Sequence, residues 1–233
     1  MKIDPVNNPR RVWNEQHAIL RRRLMKDHDY AAALPVFLDH HGMVHAAKLR
    51  ANAYSFQDEI LGELTPQQLR YCSPTMPHSV VWKLWHIARI EDVTLNLLLA
   101  DSPQVLHSGK WLDKLAITTV SVGNEMSDAE IAELSETINV KALLDYRLAV
   151  GKHTRSLVRR LKVDLLWQPP APDRLQRLFE EGAVLERTAW LRDYWGGHPA
   201  ANLLLMPASR HCLVHLNEIA RMRSKLQRLK TKS

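Results

Sequence analysis

The chain has 233 residues, 45% of them hydrophobic and 24% charged, ordinary values for one globular domain with decorations or two small ones. It holds no run of about 18 apolar residues, which excludes a membrane-spanning helix, and its opening MKIDPVNNPRR lacks the apolar stretch of a signal peptide. Two cysteines, Cys72 and Cys212, build no disulfide framework and point to a reducing cytoplasm, while the formal charge of +7 spreads along the chain with modest clusters at residues 21–23 and 221–232.

Eight glycines and few alternating β-branched runs argue against a sheet. Residues 10–26 read as a basic, amphipathic, peripheral helix. Asp29 is placed to cap a short helix that Pro35 kinks or restarts. A long helix is expected over residues 39–64, stopped at Thr65-Pro66, with Thr65 capping the turn QQLR. YCSPTMPHS is a proline-punctuated loop. Ser79 then precedes VVWKLWHIARIEDVTLNLLLA, which is apolar nearly all round and so belongs deep in the core.

Residues 101–138 form a long connection with Trp111, a turn near Gly123-Asn124 and a short helix capped at Ser127. A third long helix is expected over residues 140–161. Pro169, Pro170 and Pro172 break the chain, and Gly196-Gly197 with Pro199 marks a turn. The last helix is expected over residues 208–229. The fold class is therefore all-α: four long helices in one bundle over residues 39–233, preceded by a helical extension over residues 1–38.

The sharpest chemical signal is HCLVH. His211 and His215, at i and i+4 on a helix, differ by about 40° of rotation and about 6 Å of rise, so one ion can meet both imidazoles. Cys212 stands where a metallopeptidase HExxH helix carries its glutamate, so that mechanism is not supported. Glu218 lies about 20° from His211 on the same stripe. It suits a fourth ligand, an orienting group or a general base. His86 shares an inward face with Trp82, Ile90, Val93 and Leu97, and helix bundles build metal sites from side chains on facing helices.

Other residues are weaker candidates. His41 and His45 form a second i, i+4 pair, and His45, grouped with Leu49, Asn52 and Phe56, suits either a residue beside the site or a partly exposed contact. Trp85, Trp190 and Trp195 suit pocket lining or core packing. Arg210 and Cys212 turn away from the histidine stripe, and His198 fits a turn.

Whole segments carry a resemblance. LWHIARIEDVTLNLLLADSPQVL, followed by Trp111, resembles the second helix and following loop of the DinB/YfiT-like metalloenzyme superfamily. ASRHCLVHLNEIARMRSKL resembles its last helix, and TPQQLRYCSP the turn entering its second. The resemblance runs from about residue 40 to 225 and is weak over 162–205. It implies a four-helix bundle in up-down-down-up order, whose crossover the 101–138 connection would supply. It also implies a divalent metal, zinc or nickel foremost, on His86, His211 and His215.

Characterised relatives in that superfamily include S-transferases and an isomerase that use low-molecular-weight thiols. The leading expectation is thus a metal-dependent, thiol-using transferase acting on a small molecule, with Glu218 as an orienting or acid–base group. The alternative is a non-enzymatic, metal-stabilised bundle that binds a partner or serves in stress. A nucleic-acid partner rests only on the basic tail, without any aromatic-interleaved basic motif. No membrane partner is expected, and a homodimer stays open.

Overall fold

A computed structural model describes residues 8–51 and 53–229; Asn52, grouped above with His45, lies outside them. The described residues are helical and contain no strand, so the chain is all-α. No described helix is long and apolar enough to cross a membrane.

Helix α1 (Pro9–Met25) starts on the Asn8 cap and α2 (Tyr30–Gly42) on the Asp29 cap, each side chain accepting a backbone N–H of the first turn. The two pack on each other. Helix α1 buries Trp13, Leu20 and Leu24 completely. The expected division between residues 38 and 39 falls inside α2.

The single long helix expected over residues 39–64 does not form. Helix α2 ends at Gly42, a 3₁₀ turn covers Ala47–Arg50, and α3 occupies only Phe56–Leu61. The break has local causes. The chain folds back so closely that a Cβ on Gly42 would sit 2.6 Å from Arg50 Cδ. Ala51 is left-handed, at φ 52°, and Ser55 caps α3 while donating its hydroxyl to His45 O. Met43, Val44, Phe56 and Ile60 are still buried. The apolar spacing reported burial correctly and helix wrongly.

Helix α4 (Pro66–Arg70) opens on a capping box of Thr65 and Gln68. Helix α5 (Val80–Val93) follows the Ser79 cap and continues through a π-helical turn, Thr94–Ala100. Every residue of α5 is buried, so its polar side chains must find partners inside the protein. Short helices α6 (Val105–Ser108) and α7 (Trp111–Leu115) and the longer α8 (Asp128–Thr137) break up the 101–138 connection, and α8 carries a second capping box, Ser127 with Glu130.

Helix α9 (Val140–Val158) packs along α5. Helices α10 (Pro172–Glu180) and α11 (Trp190–Gly196) follow the proline break. The final rod is longer than expected at its N-terminal end. Helix α12 (Ala201–Leu205) passes through a π-helical turn, Met206–Arg210, into α13 (His211–Gln227). Pro207, which has no N–H to give, sits in that turn and widens the helix instead of starting it. Ser209 Oγ donates to the carbonyls of Leu204 and Leu205 there.

Candidate metal centre

Helices α5 and α13 pack together, and their contact brings His86 to His211 and His215. One ring nitrogen from each lies within 4.8 Å of the other two. The ring centroids are 4.7 to 5.2 Å apart and the planes cross at 70° to 89°. The rings thus surround a point rather than stack.

The backs of two rings are held. His86 Nδ1 is 2.6 Å from Val122 O, and a carbonyl only accepts, so Nδ1 carries the hydrogen and Nε2 the lone pair. His215 Nδ1 is 2.8 Å from Glu218 Oε2, which also accepts from Lys83 Nζ at 2.6 Å. The hydrogen bond from His215, assisted by Lys83, holds the Glu218 carboxyl down at about 2 against its partial burial. His215 Nδ1 is therefore the donor and its Nε2 carries the lone pair. Metal-ligating histidines are oriented in this manner from behind. His211 Nδ1 has no hydrogen-bond partner.

The electrostatics favour neutral rings at His86 and His211. Burial lowers His86 to about 3, with His215 beside it adding to the effect. Burial, and then His86 and His215, keep His211 well below its ordinary value. Trp82 stacks on His86 at 4.8 Å and 6°.

The donor set fits a divalent first-row ion. His211 Nε2 and His215 Nε2 are 3.2 Å apart, close to the edge of about 3.3 Å that two ligands make on a tetrahedral ion with bonds of about 2.0 Å. Three neutral imidazoles suit zinc or nickel among other such ions. The site could hold a metal ion, with His211 and His215 partly open to solvent.

Beside His211 lies a pocket of about 230 Å³ lined chiefly by Ile90, Trp190, Tyr194, Trp195 and Met206. Trp190 is 57% exposed. Trp85 is fully buried core instead, packed against Gly123, whose φ of +83° and missing Cβ let the ring approach. Arg210 turns toward α1, its guanidinium 5.2 Å from the Trp13 ring. Cys212 is sealed in the core, and burial pushes its thiol up to about 12, so it is no nucleophile near neutral pH. His198 sits in the turn after α11, against Tyr194.

His45 is not the partly exposed contact that was one of its two expected places: it is fully buried and joins His41 and Glu91 in a second group. Sequence reasoning also missed Lys83 and the Val122 carbonyl. Lys83, one turn before His86, was visible as a lysine on a core helix. The carbonyl had no signal, because any residue type supplies one.

No protein-family model matches the chain, and no curated protein matches it in sequence. Fold and site together define an all-α protein with a partly buried three-histidine cluster that could hold a metal ion.

Proposed function

We propose that the chain is a DinB-like metalloprotein, a four-helix bundle built on α2, α5, α9 and the α12–α13 rod, that holds one divalent ion on His86, His211 and His215. The observation that carries this reading is the convergence of three imidazoles whose Nε2 lone pairs are set by hydrogen bonds behind two of the rings.

The reaction class is a metal-dependent thiol S-transfer to a small electrophile. The ion supplies Lewis acidity that favours a thiolate over a thiol. The sulfur attacks the electrophilic carbon, a carbon–sulfur bond forms, the leaving group departs with its electron pair, and the thiol proton passes to solvent. Glu218 acts through His215: already ionised and paired with Lys83, it is a positioning residue. The aromatic pocket at His211 is placed to seat the electrophile's apolar part and exclude water.

A metal-stabilised, non-catalytic bundle is the second reading. Its support is the Lys83–Glu218 pair, which covers the His215 side of the cluster, and the small volume of the pocket.

The test starts from elemental analysis of protein purified without a histidine tag. One or more equivalents per chain, with one lost in His211→Ala/His215→Ala, supports the site; an unchanged metal content in that variant rejects it. Conjugation of bacillithiol or mycothiol to monochlorobimane, dependent on that ion, supports the transferase. Stoichiometric metal without conjugation of any thiol favours the second reading.

A further inference from the structure

A second cluster, independent of the first, sits on another face of α5. Glu91 follows His86 by five residues, about 140° round the helix and about 7.5 Å along it. His41 lies in the last turn of α2, and the chain turns sharply after Gly42, so His45 comes back to the same carboxylate. His41 Nε2 is 2.8 Å from Glu91 Oε1, and His45 Nε2 is 2.9 Å from Oε2. Thr154 of α9 donates its hydroxyl to Oε1 at 2.7 Å. The three side chains have no exposed surface. Gly151 makes the room: a Cβ there would stand 2.7 Å from His45 Nδ1.

Among the described residues, no lysine or arginine nitrogen pairs with Glu91. The two fully buried arginines make their hydrogen bonds elsewhere, Arg89 on Asp92, Tyr146 and Gln104, and Arg147 on Gln57 and Val44 O, with Arg147 Nη1 left without a partner. A carboxylate sealed in the core is costly unless a cation meets it. Charging an imidazole would supply one, but His41 Nδ1 and His45 Nδ1 have no partner, so that would bury an orphaned cationic N–H. A neutral ring bound through Nε2 leaves only an uncharged N–H there, the smaller cost. The nitrogen–oxygen separations of 2.8 and 2.9 Å match the edge of about 2.8 to 3.0 Å between cis ligands of a six-coordinate ion with bonds of about 2.0 to 2.1 Å.

The geometry points to a second metal site: His41, His45 and Glu91 bind a divalent first-row transition ion, held structurally in the core. Two imidazoles and a carboxylate suit zinc, iron(II) or manganese(II). The ion ties the end of α2 to α5 and, because the cluster is sealed, exchanges slowly.

The experiment measures metal by elemental analysis in tag-free protein grown with zinc, iron and manganese supplied, then dialysed against a chelator. The triple variant His86→Ala/His211→Ala/His215→Ala removes the first cluster and leaves this one untouched. It is expected to keep about one equivalent through dialysis; a folded triple variant with only trace metal before dialysis overturns the proposal. Adding Glu91→Gln should remove that equivalent, and a folded quadruple variant that retains it also overturns the proposal. If the quadruple variant does not fold, the triple variant decides alone. Failure of the three-histidine site would show instead as unchanged metal content between the wild type and the triple variant.

Discussion

Glu218 Oε2 stands between His215 Nδ1, 2.8 Å away, and Lys83 Nζ, 2.6 Å away. One oxygen therefore joins the last helix to α5 directly behind a ring of the three-histidine cluster. The carboxylate faces the back of His215, whose hydrogen bond, helped by Lys83 on the same helix as His86, keeps it charged.

Glu218→Gln is expected to weaken metal affinity at the cluster about 10- to 100-fold while leaving the site fillable, the usual effect of removing a group that orients a ligand. His86→Ala should empty it. Competition with a chromophoric chelator, run on both variants, separates the two. Equal loss in both would make Glu218 a ligand and favour the non-catalytic reading.

Asp92 anchors a different part of α5. Its carboxylate accepts from Arg89, Tyr146, Asn96 and the backbone N–H groups of Val105 and Leu106. Asp92→Ala would leave the Arg89 guanidinium buried without its counter-charge and uncap the first turn of α6. The expected loss is about 3–5 kcal/mol, read as a lower urea midpoint. A change under 1 kcal/mol would mean that Gln104 and the Val120 carbonyl suffice for Arg89.

The sequence made the helix starts legible wherever a short polar side chain precedes an apolar run, as at Asp29, Thr65, Ser79 and Ser127, because capping is a local interaction. It also made legible that His211 and His215 share one helix face and that His86 points inward, since helical spacing sets which face a side chain joins; their meeting was only what the resemblance implied. The break of residues 39–64 was not legible, because the turn at Gly42 depends on Arg50 folding back over it. The Met206–Arg210 turn was hidden for a related reason. A proline reads as a helix start, yet here the wider turn absorbs Pro207 within a continuous rod. The pairing of Glu91 with His41 and His45 depends on the turn at Gly42 and on Gly151, and no window of sequence contains them together.

Gly151→Ala tests whether His45 is held where it lies. An alanine in the interior of a helix ordinarily gains about 1 kcal/mol over glycine. Here the new methyl would meet His45 Nδ1 at 2.7 Å and Leu49 Cδ2 at 3.0 Å, and overpacking a core costs about 1–3 kcal/mol. The expected outcome is a net loss of stability and a lower urea midpoint, where an exposed helical glycine would give a gain. A raised midpoint would show that the imidazole is free to move aside.

Acid should destabilise the metal-free protein, starting well above the range where carboxylates titrate. Burial lowers both His86 and His45 to about 3, whereas in the unfolded chain a histidine titrates near 6.5. Between those values the unfolded state binds a proton at each position that the folded state refuses. Stability therefore falls as pH drops through this window and is fully present above about 6.5. His40 and His211, held low chiefly by burial, act in the same direction. Chelator-treated protein should accordingly show urea midpoints that decline from pH 7 to 6 and again from 6 to 5. A midpoint unchanged over that interval would mean that these histidines are charged, or open to water, in the folded chain.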